Sequence, residues 1–334
     1  MLILVLCVSG LLVAGILFSR YESSKIIAAN ANRGELIDVG GFRMNSILVP
    51  SGANADLPPL VFVHGASGNL LDQMYAFRPA LEGRAEMLFV DRPGHGYSER
   101  GGPENGFPDG QADAIAKLMD KRGIRKAIII GHSFGGATVA SFALNHKDKV
   151  AGLVFLSPAT HPWPGGVEWY YSITRMPYIG WLFANLVAVP VGLSRIEAGT
   201  HYVFAPNHRP DGYIANTAPA LVLRPSIFRN NAIDVANLLD YVTRVSPRYK
   251  EIKVPTEIIT GDRDDVVLAN IHSRGLARDI EGSELVWIKN LGHKPDYIVT
   301  DVAIAAIEKV AGMDRDVQAA ARIAEARIAG DDEK

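Results

Sequence analysis

Residues 2–18 are apolar apart from Ser9 and two glycines, and no charge follows until Arg20. As a helix, that run at ~1.5 Å per residue rises about 25 Å, against a bilayer hydrocarbon core of ~30 Å. Soluble helices seldom lack a polar face, so segment 1–20 is expected to be an uncleaved membrane anchor. The rival is a secretory signal cut after Ala29-Asn30-Ala31, which would give a secreted or periplasmic protein. That site lies far beyond Phe18, and no Lys or Arg precedes the run, both atypical of a signal. Arg20, Lys25 and Arg33 follow it and favour a cytoplasmic C-terminal domain. Large domains are translocated regardless of so small a bias, so both sides of the membrane stay in play.

Beyond residue 34 the pattern changes. Short apolar runs at 60–63, 87–90, 127–130, 153–156, 257–260 and 285–288 are bounded by Gly, Pro or Asp. This is how strands buried on both faces of a parallel sheet read. Helical spacing appears at 111–122, 134–146, 270–280 and 296–310; in the first, Ala112, Ile115 and Met119 recur on one side. Segments 35–39 and 42–49 flank Gly40-Gly41, a hairpin signal. Alternation of this kind predicts an α/β fold with a mostly parallel central sheet flanked by helices.

The rhythm breaks between 161 and 245, where no parallel strand is expected. That length exceeds a loop in a compact domain, so 161–245 is read as a helical cap inserted between core segments 34–160 and 246–312. It carries Trp163, Trp169, Tyr170, Tyr171, Tyr178, Trp181, Phe183, Tyr202 and Phe204. Singly, each suits the cap's own core; as a group they suggest the wall of an apolar substrate pocket. Segment 313–334 alternates alanine with charge and reads as an exposed helix with a frayed tail.

The 334 residues suit about two domains at ~150 each. Apolar residues at 48% and charged ones at 21% exclude a disordered chain. A net charge of −2 argues against nucleic acid as a partner. The single Cys7 excludes an intrachain disulfide and a thiolate metal site. Neither a phosphate-binding glycine loop nor an H-E-x-x-H zinc motif is present, and no metal ligand set stands out.

Gly131-His132-Ser133-Phe134-Gly135 fits G-x-S-x-G, set between a strand and a helix as a nucleophile turn requires. A serine nucleophile needs a base, and the base needs an orienting acid. His293 follows strand 285–288 and the Asp262-Arg263-Asp264-Asp265 loop follows strand 257–260. In a parallel sheet both would share an edge with Ser133. Any of the three aspartates could serve on spacing alone. His64, His95 and His132 sit in tight turns and read as structural, whereas His161, His201 and His208 read as surface residues.

At this point the chain resembles the α/β-hydrolase family, in its serine-nucleophile branch with a helical cap, over residues ~36 to 312. His64-Gly65-Ala66-Ser67-Gly68 is similar to the family's HG-x turn, and Asp91 to Ser98 to its D-x-x-G-x-G-x-S turn. The resemblance implies Ser133 as nucleophile, His293 as base and, by its G-x-x-D pattern, Asp264 as acid. Backbone amides of Ala66 and Phe134 would form the oxyanion hole, and no cofactor is implied. Serine at the turn, in place of the aspartate of dehalogenases and epoxide hydrolases, points to acyl chemistry. The expectation is an esterase for small apolar esters. Alternatives are a lactonase, a carbon–carbon (diketone) hydrolase or a non-catalytic ligand-binding scaffold.

Overall fold

The computed structural model describes residues 1–332, so the last two residues of the charged tail lie outside the described residues. In chain order come helix α1 (Leu2–Ala29), strands β1 (Glu35–Asp38), β2 (Arg43–Val49) and β3 (Leu60–Val63), then α2 (Leu70–Leu81) and β4 (Met87–Val90). Next are α3 (Pro108–Lys121), β5 (Ala127–His132), α4 (Phe134–Asn145) and β6 (Val150–Leu156). A helical insertion follows: α5 (Trp169–Thr174), α6 (Pro177–Phe183), a π-helical turn (Ala184–Ala188), α7 (Val189–Phe204), α8 (Tyr213–Thr217) and α9 (Pro225–Val245). The chain returns through β7 (Thr256–Gly261), α10 (Ala269–Asp279) and β8 (Glu284–Ile288). It ends in α11 (Pro295–Ile298), α12 (Thr300–Val310) and α13 (Val317–Ile328).

All eight strands join one sheet in the order β1-β2-β4-β3-β5-β6-β7-β8. Only β2 runs against its neighbours; from β4 to β8 the pairing is parallel. Successive side chains of a strand point to opposite faces, and here both faces are covered. Phe62, Phe89, Ile130 and Leu156 meet Phe77 of α2 and Ile307 of α12 on one side. Val61, Val63, Ile129 and Phe155 meet Met119 of α3 and Phe142 of α4 on the other. Neither parity of the strand is free to be polar, which is why these strands read as unbroken apolar runs.

Several expectations are corrected. The helix expected over 296–310 is interrupted at Val299 (φ −130°, ψ 45°), giving α11 and α12. The C-terminal helix is not exposed: Val317, Ala321, Ala324 and Ile328 bury one side of α13 in the core. Helix α1 does not stop near residue 20 but runs to Ala29, with Ser19 and Ile26 buried. It lies against the insertion, where Ser19 Oγ donates to the Asn185 carbonyl at 2.6 Å. His161 is buried, its ring bridging Thr160 Oγ1 (3.0 Å) and Asp279 Oδ2 (3.1 Å), whereas His201 and His208 are exposed as expected. The aromatic group of the insertion does not form one pocket wall. Trp169, Tyr178, Trp181 and Tyr202 face outward, the second of them 86% exposed.

Candidate active site

Ser133 sits between β5 and α4 with φ 54° and ψ −121°, a conformation strained for a residue with a Cβ. Hydrogen bonds hold the turn: its amide donates to the Leu156 carbonyl (3.0 Å), and its carbonyl accepts from Gly136 (2.9 Å) and Ala159 (3.0 Å). The flanking glycines are forced by close packing. A Cβ at Gly135 would lie 2.4 Å from the Val63 carbonyl oxygen, and one at Gly131 2.6 Å from Val139 Cγ2. The Ser133 hydroxyl bonds to no described residue, so the Ser133–His293 hydrogen bond is not made in this structure.

His293 and Asp264 are brought together. Asp264 Oδ2 lies 2.8 Å from His293 Nδ1, and both side chains are buried. The other oxygen, Oδ1, accepts from the amides of Val266 (3.0 Å) and Val267 (2.8 Å), which fixes the carboxylate plane. A carboxylate can only accept, so Nδ1 carries the proton and Nε2 is left with its lone pair free for base work. Asp262 is exposed and caps the next turn by accepting from the Asn290 amide at 2.7 Å; Asp265 is exposed as well.

The turn after β3 abuts the serine: a Cβ on Gly65 would come 2.9 Å from Ser133 Cβ. His64 fixes that turn. Its Nδ1 lies 2.8 Å from the Gly65 carbonyl and its Nε2 accepts the Arg92 amide at 3.1 Å, a pairing that one neutral tautomer satisfies. Burial, with the Arg92 charge, holds this imidazole well below its usual pKa. The Ala66 and Phe134 amides have no hydrogen-bond partner among the described residues. Asn231 of α9 clamps the next residue, accepting from the Ser67 amide (2.7 Å) and donating to its hydroxyl (3.1 Å).

The sequence reading missed most of the supporting groups. His132 Nε2 lies 2.8 Å from the His293 carbonyl, and burial followed by the Lys294 charge keeps His132 neutral. Asn207, between α7 and α8, accepts from the Gly292 amide (2.8 Å) and donates to the Asn290 carbonyl (2.8 Å), so the insertion also holds the His293 loop. Lys294 is buried, 2.9 Å from Asp72 and 3.0 Å from Asp296. Burial pushes the Asp296 carboxyl up to about 6 against the pull of Lys294. Asp72, His132 and Asp296 are spaced as three metal ligands, but the Lys294 ammonium already lies between the two carboxylates. Asp234 of α9 accepts from His95 (2.9 Å), Gln111 (2.8 Å), Arg92 (3.2 Å) and Arg100. Burial would raise this carboxyl, yet the His95 bond and the arginine charges hold it at about 2. Asp234 falls on the buried side of α9 in register with Ile227, Leu238 and Tyr241, a charge at an apolar position that the sequence pattern could have flagged; the others have no such signal.

Residues 58–295 match the family described as the alpha/beta hydrolase fold. A dihydrolipoyllysine-residue acetyltransferase component of an acetoin cleaving system from Pseudomonas putida is 35% identical over 101 residues, 30% of this chain and 27% of that protein. The corresponding protein of Cupriavidus necator is matched over 32% of its length, so the chain spans about a quarter to a third of these two relatives. A 2-hydroxy-6-oxononadienedioate/2-hydroxy-6-oxononatrienedioate hydrolase of Comamonas testosteroni is 24% identical, over 70% of this chain and 80% of that one. Among solved structures, an esterase of Thermogutta terrifontis superposes with a TM-score of 0.61 at 20% identity, covering 80% of this chain and 94% of its own. The N-acyl homoserine lactone degrading enzyme Est816 gives 0.57 at 23%, covering 78% and 94%. At these identities the two structures share the fold.

Proposed function

The chain belongs to the α/β-hydrolase fold family, and we propose on that footing that it is a serine hydrolase of carboxylic esters of small apolar molecules, held to a membrane by α1. The observation that carries the reading is the 2.8 Å contact between His293 Nδ1 and Asp264 Oδ2, beside a serine in the strained turn. In this mechanism His293 Nε2 takes the Ser133 proton as Oγ attacks the ester carbonyl, and the Ala66 and Phe134 amides hold the oxyanion. The imidazolium returns the proton to the leaving alcohol. Water deprotonated by His293 then cleaves the acyl-enzyme and releases the acid. The missing Ser133–His293 bond closes when substrate excludes water, as such bonds commonly tighten only in the complex.

A fluorophosphonate probe tests this: it should label the wild-type chain on Ser133 and leave folded Ser133→Ala unlabelled. An unlabelled wild type would favour a ligand-binding scaffold. The Comamonas relative, matched over most of its length, favours a second reading, cleavage of a carbon–carbon bond in 2-hydroxy-6-oxo acids. Parallel assays on p-nitrophenyl esters, lactones and such acids separate the three chemistries by kcat/KM.

A further inference from the structure

Two apolar helices lie side by side on the outside of this molecule. From Leu2 to Val13 helix α1 stands clear of the protein, with Leu4 68% and Leu11 74% exposed. Further along it packs on the insertion: a Cβ on Gly15 would lie 2.7 Å from Leu186 Cδ2, and Ser19 bonds to Asn185. The partner is the continuous helix from Pro177 to Phe204, itself long and apolar enough to cross a membrane. No charge occurs from Met176 to Ser194, and Arg175 and Arg195 bracket that run. It cannot cross, because both of its ends are tied to the protein. Phe183 packs near Phe228 of α9, and Phe204 packs on Tyr213 and Tyr297. Such a helix lies in the interfacial plane, with Tyr178, Trp181, Leu182, Val187 and Val191 outward.

This arrangement fixes a level. If the uncharged part of α1 occupies hydrocarbon, Arg20 marks the boundary where lipid headgroups begin. At that level a cleft of about 670 Å³ opens between α1, the π turn and the start of α9. Three guanidinium groups line it, those of Arg20, Arg224 and Arg229, and no carboxylate does. None of the three forms an ion pair among the described residues, and the Arg229 Nε and Ser23 Oγ atoms are buried without partners. Ile27 and Trp181 supply an apolar wall beside the cations. Arg224 already donates to the Leu221 and Gly96 carbonyls and lies over the Tyr97 ring, and Arg20 is exposed at the rim. The buried donor without a partner belongs to Arg229, and a cation so placed is costly unless an anion meets it. We propose that this cleft binds the phosphate headgroup of an anionic phospholipid, whose acyl chains run along α1 and the exposed face of α6 and α7. The inference rests on the proposed retention of α1 and is independent of the ester-hydrolase reading.

The test uses the full-length chain extracted from membranes in non-ionic detergent. Intact mass first establishes whether residues 1–29 are present; a mature chain lacking them has lost one wall of the cleft, which overturns the proposal without touching the hydrolase reading. Phosphatidylglycerol is then titrated by native mass spectrometry, with phosphatidylcholine and glycerol 1-phosphate as comparisons. Saturable binding of phosphatidylglycerol is expected, roughly fivefold weaker for Arg20→Gln and again for Arg229→Gln. Arg195→Gln, outside the cleft, should bind as wild type does. Ser226→Trp, which fills the cleft mouth, should abolish binding while melting at the same temperature. Wild-type binding by the Arg20→Gln and Arg229→Gln variants overturns the assignment, as does a comparable loss in Arg195→Gln. Competition by glycerol 1-phosphate as strong as that of the lipid also overturns it, in favour of a soluble phosphate ester.

Discussion

The His132 ring donates its Nε2 proton to the carbonyl oxygen of His293 across 2.8 Å. The residue before the candidate nucleophile thereby holds the backbone of the candidate base, and the two loops are positioned as one body. His132→Ala removes that tie without touching Ser133 or Asp264. Since an ångström of misplacement can cost ~10²-fold, kcat should fall by about that factor with KM little changed. Steady-state kinetics on a p-nitrophenyl ester check this split; an unchanged kcat would reduce His132 to a packing role.

The three aspartates of the 262–265 loop should rank sharply. Asp264→Asn keeps the shape but leaves imidazolium unsupported and favours the wrong tautomer, a loss of up to ~10⁴-fold in kcat. Asp262→Asn and Asp265→Asn should stay within a few-fold of wild type, because one carboxylate caps a turn and both are exposed. A larger loss at Asp262 than at Asp264 would relocate the acid.

Asp234 joins α9 to the loop after β4 through the buried Arg92 and His95. Asp234→Ala strands the Arg92 charge in the interior, and breaking a buried pair in this way costs ~3–5 kcal/mol. Urea unfolding at neutral pH should show that loss. Because the folded carboxyl is depressed to about 2, its stabilisation is complete above the ordinary Asp range and fades as pH falls toward 2.

Glu257 gives the opposite sign. It lies buried on β7, with Oε1 3.1 Å from the Lys309 ammonium and Oε2 unpartnered. Burial pushes its carboxyl up to about 7. A carboxyl raised on folding favours the folded state while protonated, and that advantage is lost as pH rises from about 4.5 to 7. Glu257→Gln should therefore match wild type near pH 4.5 and exceed it by about 1 kcal/mol at pH 8. Melting curves at the two pH values decide; a constant difference would remove Glu257 from the titration.

The parallel strands were legible because burial on both faces leaves an uninterrupted apolar signature. The Ser133 turn was legible because crowding at Gly131 and Gly135 admits nothing larger. Asp264 was not separable from its neighbours by spacing, since what distinguishes it is two amides and an imidazole that folding brings to it. Helix α2 escaped notice for a related reason. Leu70, Phe77 and Leu81 do bury an apolar stripe, but Pro79 inside the helix reads as a breaker. Asp72 and Gln73 also interrupt the buried side, bonding to Lys294 and Asp296 more than two hundred residues away. The outward aromatics of the insertion misled because composition alone does not tell an apolar side chain buried in a pocket from one standing on the outer surface.

Helix α13 lies along β8, the terminal strand of the sheet. Gln318 donates to the Leu285 carbonyl at 3.1 Å, and Glu325 accepts the Lys289 amide at 2.9 Å. Open strand margins are templates on which other chains can add themselves, and proteins defend them by covering, by shortness or by charge. Here one margin is shielded by a helix from the chain's own terminus. The opposite margin, β1, is four residues long and carries Glu35 and Asp38. Cutting the chain after Gly312 would remove none of Ser133, Asp264 and His293, yet it would uncover the β8 margin together with the apolar surface that Val317, Ala321, Ala324 and Ile328 cover. The unremarkable alanine-rich end thus guards that flank against self-association.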